Sequence, residues 1–187
     1  HSPARMSDIV SGALSLIGAA LRKDGIDVQV DEPEDLPSVT CRSQQIQQVL
    51  LNLLMNGRDG LNARYQGYHE NKVLRITARS VDHDGRGWIQ LAVEDHGAGI
   101  PPDVIDRIFD PFFTTKPRDQ GTGLGLAISY GIVRDHHGTL IAESTPYLTT
   151  RFVVELPMYG GWGIAEPPED ANAAKEAEVG KSPDCGR

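Results

Sequence analysis

Two glycine clusters, Gly97/Gly99 and Gly121/Gly123/Gly125, bracket the stretch DHGAGIPPDVIDRIFDPFFTTKPRDQGTGLGL from Asp95 to Leu126. Each glycine lacks a Cβ, so main-chain N–H groups can approach an anion closely and positive φ costs little. A loop of this kind is shaped for phosphate. The second cluster runs into LGLAISYGIV, apolar almost all round. That run predicts a buried helix whose free N–H groups and positive dipole end face the same loop. Between the clusters, Phe109, Phe112 and Phe113 supply an apolar anchor. The polar segment TTKPRDQ after them reads as a hinged lid, whose Lys116 and Arg118 would bring positive charge to a bound phosphate on closure.

Ile89, Leu91 and Val93 alternate with Trp88, Gln90, Ala92 and Glu94, and the period of two carries Asp95 onto the apolar face. A carboxylate buried without donors is expensive. Asp95 therefore needs either main-chain N–H groups of the following turn or an amino group on a ligand, such as that of adenine. The longest helical pattern runs from Arg42 to about Arg64, with Ile46, Val49, Leu50, Leu53 and Gly57 on its inward face. Asn52, Asn56 and Asp59 fall together on the adjoining shoulder. Such a row can be a solvated flank, but asparagine carbonyls also enter Mg²⁺ octahedra beside phosphate oxygens and water.

Ser7 or Asp8 is placed to cap a helix on Val10, Ala13, Leu14, Ile17 and Leu21 that ends near Lys23, before Gly25. Ile26, Val28 and Val30 alternate as a half-buried strand, and DEPEDLP is a loop. Leu74, Ile76 and Ala78 form a strand turning at HDGRG, Pro101 and Pro102 open a short helix through Ile108, and residues 138–143 and 152–156 are two final strands joined by TPYLTT. With 187 residues, the chain is about one domain long. A net charge of -8 argues against a general nucleic-acid surface, and no apolar run approaches the roughly 18 residues of a membrane helix. A cytoplasmic protein without direct membrane contact is expected. Cys41 and Cys185 have no metal-ligand spacing. Residues 1–7 are set aside as a cloning remnant or the end of an upstream linker, and residues 8–158 form the domain. Residues 159–187 are expected to be a disordered acidic tail or linker, with six acids against three bases from Gly160 onward.

Two common nucleotide motifs fail. The only GK[ST] is Gly180-Lys181-Ser182, with Lys175 where a phosphate loop needs its first glycine, and Leu126 stands where a dinucleotide fingerprint needs its last. In order and spacing, four segments instead resemble the ATP-binding domain of sensor histidine kinases, within the superfamily that includes gyrase, mismatch-repair and heat-shock ATPases. NLLMNGRDG (52–60) resembles the N box, DHGAGI (95–100) the first glycine box, FDPFF (109–113) the F box and GTGLGL (121–126) the second glycine box. The nitrogen-regulation type is the most similar. The resemblance covers about Asp8 to Pro157. It implies a two-layer α/β sandwich, with a mixed, mostly antiparallel sheet, three main helices on one face, and ATP between sheet, N-box helix and lid.

By the same resemblance, Asn56 holds Mg²⁺, Asn52 supports the metal and phosphate site, and Asp95 binds the adenine amino group. Gly97, Gly99 and Ile100 form the base side. Lys116, Gly121, Thr122, Gly123, Leu124, Gly125 and Leu126 belong to the lid end that meets the phosphates. Several positions depart from the pattern: His96 replaces the commoner Asn, STPYLTTRF lacks the usual hairpin glycine, and Gly57 and Gly60 replace Ala at about 1 kcal/mol each in helix propensity. Asp59 stands where other branches carry a phosphate-contacting Lys or Arg, and that role is not assigned to it.

None of His1, His69, His83, His96, His136 and His137 lies in the H-[ED]-x-x-[ST]-P context of a phosphoacceptor. His136 and His137 read as turn or surface residues. The implied activity is transfer of the ATP γ-phosphoryl group to a histidine on a phosphoacceptor domain outside this sequence, with a response-regulator receiver domain downstream. The alternative is an ATP-hydrolysing conformational module, but those relatives use a carboxylate base four residues before the metal-binding Asn, where this chain has the amide Asn52.

Overall fold

A computed structural model describes residues 1–116 and 121–158. The expected tail at 159–187 and the lid residues 117–120, Arg118 among them, lie outside the described residues. The elements in chain order are β1 (Ser2–Ala4), α1 (Met6–Lys23), β2 (Asp27–Asp31), β3 (Val39–Cys41), α2 (Ser43–Arg64), β4 (Val73–His83), β5 (Arg86–Asp95), α3 (Gly125–Asp135), β6 (Thr139–Thr145) and β7 (Thr149–Pro157). Five strands form one sheet in the order β2-β4-β5-β7-β6, and β2 pairs parallel to β4 while every other pair is antiparallel. The three helices pack on one face, α2 in the middle with α1 and α3 on either side. Among the described residues, no helix is long and apolar enough to cross a membrane.

Period-two burial explains the sheet. Ile89, Leu91, Val93 and Asp95 of β5 turn inward, opposite Leu156, Val154, Phe152 and Thr150 of β7. These meet Ile46, Leu50, Leu53 and Leu54 of α2 in one core. The outward face carries a charged cluster near the end of β5: Glu94 lies between Arg75 at 3.8 Å and Arg151 at 4.0 Å, and the His96 Nε2 is 3.4 Å away.

Several expectations are corrected. Residues 2–4, placed outside the domain from sequence, pair with Val39–Cys41 in a small antiparallel sheet, and β3 itself was not foreseen because three residues after a proline loop carry no readable alternation. Helix α1 begins at Met6 with Arg5 at its N-cap and no side-chain cap, so neither Ser7 nor Asp8 starts it. The helix expected after Pro102 contracts to a 3-10 turn at Ile105–Arg107. Helix α3 is not buried all round: only Ser129 and Val133 are buried, and Ile128 and Tyr130 are 43% and 39% exposed. Phe112, expected in the anchor, is 75% exposed with φ 65°, while Phe109 and Phe113 pack against the core.

His136, expected at the surface, is 1% exposed. Its Nε2 accepts from the Arg42 N–H at 3.0 Å, and its Nδ1 donates to the Ile132 carbonyl at 2.7 Å. The imidazole therefore satisfies the N–H of Arg42, the N-cap residue of α2, and bonds a carbonyl in the last turn of α3, tying the two helices together at one end. His136→Ala removes the acceptor of the Arg42 N–H, while the Ile132 carbonyl keeps the main-chain N–H of residue 136 at 3.2 Å; a loss of about 1 to 3 kcal/mol is expected. A lowered denaturant midpoint checks this, and an unchanged midpoint would mean the bond carries no net stability.

Candidate functional site

The sheet and α2 open at one end into a cleft of about 1020 Å³. Asp95, at the last position of β5, forms its floor with Thr150 opposite on β7. Asp95 is 4% exposed, and among the described residues its only donor is the Gly97 N–H, at 2.8 Å from Oδ1. Burial pushes its pKa up to about 7; the Gly97 N–H offsets part of that rise and the neighbouring Glu94 carboxylate adds to it. The carboxylate thus sits at the floor of a cleft, short of donors.

Glycines let α2 come down onto this residue. A Cβ on Gly57 would lie 2.4 Å from the Leu74 Cδ1 and 3.5 Å from the Asp95 Oδ2, and one on Gly60 would lie 3.4 Å from the Asp95 Oδ1. What reads in sequence as a helix penalty is clearance for the carboxylate. Gly97 is buried behind the cleft: its Cβ would meet the Gly60 carbonyl carbon at 2.4 Å, and the Ala98 N–H donates to the Gly60 carbonyl at 3.0 Å. Gly97 therefore docks the loop on α2 and does not line the cleft wall.

Gly99 has φ 76°, and its Cβ would strike Pro146 Cα at 2.7 Å. The loop is tied there to the β6–β7 hairpin, by Tyr147 N–H to the Ala98 carbonyl at 2.9 Å and Ile100 N–H to the Ser144 Oγ at 2.9 Å. That hairpin manages without glycine because Tyr147 takes the left-handed position, with φ 56°. Ile100, Val104, Ile108, Phe113 and Phe152 give the cleft its apolar walls. Such walls suit a flat heterocycle whose polar edge reaches Asp95.

The opposite end is polar. Asn52, Asn56 and Asp59 project from α2 into the cleft, facing Lys116, Gly121, Thr122 and Gly123, with Gly125 and Leu126 at the start of α3. The Asn52 Nδ2 donates to the Gly125 carbonyl at 3.1 Å and the Ser129 Oγ at 3.0 Å, so its amide ties α2 to the first turn of α3. Ser129, fully buried, was not picked out from sequence, although a serine inside an apolar run is itself a signal of a buried polar contact. The Lys116 Nζ lies 2.5 Å from the Asp59 Oδ2 and 3.3 Å from the Asn56 Oδ1. Gly123, with φ 66°, crosses Phe112 so closely that a Cβ would lie 2.5 Å from the Phe112 carbonyl carbon, and the Phe112 N–H donates to the Gly123 carbonyl at 2.9 Å. Leu124 is the N-cap of α3 and does not line the cleft. His96 lies outside the cleft, beside Glu94.

The profile of the family described as "Histidine kinase-, DNA gyrase B-, and HSP90-like ATPase" matches residues 41–160. The two-component sensor PprA of Pseudomonas aeruginosa is 40% identical over 147 residues, covering 79% of this chain and 15% of its own length. Sporulation kinase E of Bacillus subtilis is 31% identical over 157 residues, covering 82% of this chain and 19% of its own length. The chain therefore spans under a fifth of either relative. Among solved structures, a nucleotide-free form of the catalytic domain of histidine kinase ThkA superposes with a TM-score of 0.67 at 29% identity, over 83% of this chain and 94% of that one.

Proposed function

The chain belongs to the histidine kinase-, DNA gyrase B- and HSP90-like ATPase family, and from that premise we propose that its cleft binds Mg-ATP and presents the γ-phosphoryl group to a histidine on a separate phosphoacceptor domain. The observation that carries the base site is Asp95, a carboxylate buried at the cleft floor with, among the described residues, a single main-chain donor. The exocyclic amino group of adenine supplies the missing donor, and the apolar walls take the ring. Gly99 and Ile100 then border the base, while Gly121, Thr122, Gly123 and Gly125 border the phosphates.

The polar end suits Mg²⁺ by its donor set. Asn56 and Asp59 already accept from one ammonium group, so their oxygens suit a hard cation. Mg²⁺ at a nucleotide site takes most of its ligands from phosphate and water, so one or two protein oxygens suffice. Asn56 would hold it, and the ion would supply charge neutralisation across the phosphates. Lys116 would add a second positive group from the lid.

Transfer to a neutral imidazole asks for positioning and charge neutralisation more than for a base. This favours the kinase over the hydrolytic reading, because the Asn52 amide is committed to Gly125 and Ser129 and cannot activate water. The exposed side of α3, where Ile128, Tyr130 and the nearby Phe112 stay uncovered, offers the acceptor helices an apolar landing face. From the histidine, the phosphoryl group would pass to a response-regulator receiver.

Incubation with γ-labelled ATP tests this. The chain alone should bind nucleotide yet gain no acid-labile phosphohistidine, and adding the helical phosphoacceptor segment of the same protein should label that segment. Self-labelling at any of the six histidines, lost on its substitution, would overturn the assignment. Steady phosphate release without labelling would favour the hydrolytic module.

A further inference from the structure

Asp59 is not assigned as a ligand in the scheme above, where Asn56 alone would hold the metal, yet it lines the end of the cleft assigned to the phosphates. A bare carboxylate there repels a polyphosphate unless a cation stands between them. The structure already puts one there, since the Lys116 Nζ sits against the Asp59 Oδ2 at 2.5 Å and the Asn56 Oδ1 at 3.3 Å. Positions 56 and 59 are three apart on α2, so the two oxygens share a helix face and converge on one point.

We propose that Asn56 and Asp59 form a single cation seat, filled by the Lys116 ammonium in the empty protein and taken over by a divalent cation, so that metal loading and release of the lid lysine are one event. The proposal rests on the Mg-ATP reading and adds to it Asp59 as a metal-positioning residue and Lys116 as the displaced occupant. One carboxylate and one neutral carbonyl cannot hold an ammonium and a divalent ion side by side, because the two cations repel at contact distance. The pair is also easily exchanged: the Lys116 and Asp59 side chains are 35% and 41% exposed, and ion pairs at such positions hold weakly.

Displacement of the lysine reaches the glycine loop directly. The Lys116 N–H donates to the Thr114 Oγ1 at 3.1 Å, and a Cβ on Gly121 would stand 2.8 Å from that oxygen and 3.1 Å from the Lys116 Cβ. Thr114, Lys116 and Gly121 are thus packed together, so a change in the position of Lys116 bears directly on Gly121.

The test is titration of the nucleotide-free protein with Mn²⁺ alone, read by paramagnetic broadening of the backbone amide signals of residues 55–60. Lys116→Met should broaden these signals at about fivefold lower Mn²⁺ than wild type, since the seat no longer has to be vacated. Lys116→Arg should behave as wild type. Asp59→Asn in the Lys116→Met background should abolish the gain. Equal midpoints for wild type and Lys116→Met, no effect of Asp59→Asn, or no broadening in any variant would each overturn the proposal. Calorimetry with ADP on the same samples keeps the two readings apart: failure of ADP to bind would overturn the nucleotide site, whatever Mn²⁺ does.

Discussion

Asp95→Asn yields a folded protein that no longer binds adenine nucleotides. The amide loses the charge that makes acceptance from an adenine amino group strong, a difference of about 1.5 to 3 kcal/mol. It can also present its own NH₂ to that amino group, donor against donor, so the expected loss in affinity is about a hundredfold or more. GTP should bind poorly to the wild type for a related reason, since guanine offers a carbonyl at the same place. Calorimetry with ATP and GTP decides the point, and equal affinities would refute the base assignment.

The same residue makes the empty protein pH-sensitive. Its folded pKa, about 7, stands above the ordinary 3.8. The native state therefore holds a proton that the unfolded state has given up. Its contribution to stability is full below the ordinary value and is lost as pH rises through about 7, with an upper size on the order of 4 kcal/mol. Asp95→Asn should flatten this fall, so at pH 8 the variant is at least as stable as wild type in denaturant titrations. Nucleotide affinity in wild type should rise across the same range as the carboxylate ionises, and binding of equal strength at pH 6 and 8 would contradict that.

Gly97→Ala should be strongly damaging. Its Cβ would stand 2.4 Å from the Gly60 carbonyl carbon and 2.6 Å from the Gly60 oxygen, which are main-chain atoms of α2 that cannot rotate away. It would also stand 2.7 Å from the Asp95 Oδ1. The loop must lift off the helix, losing the Ala98 N–H bond to the Gly60 carbonyl. A cost of about 2 to 4 kcal/mol and loss of nucleotide binding follow. Gly131→Ala is the contrast, because nothing lies within 4 Å of its Cβ. A glycine inside a helix costs about 1 kcal/mol against alanine, so this substitution should stabilise. Thermal midpoints moving in the same direction for both variants would disprove the contact argument.

The sequence made the inward turn of Asp95 and the shared shoulder of Asn52, Asn56 and Asp59 legible, because strand and helix periods are local properties. What it concealed was set by partners far away in the chain. The amphipathic count of α3 registers apolar content but not which side finds cover, so its exposed Ile128 and Tyr130 were read as buried. The contact of Lys116 with Asp59 joins positions 57 apart and leaves no local pattern. Gly57 and Gly60 showed only their helix penalty until the position of Asp95 beneath them supplied the reason. Tyr147 was unreadable in another way, since a left-handed turn residue with a large side chain is tolerated only where that side chain is free, and Tyr147 is 70% exposed.

Val39 touches both ends of the folded unit. It pairs with Ala4 on one side and forms a bridge with Met158 on the other, where the Met158 N–H also donates to the Gly87 carbonyl at 3.0 Å. Entry and exit of the chain are thus moored at one point of the rim. Fraying of Val39 would therefore loosen both ends of the described fold together.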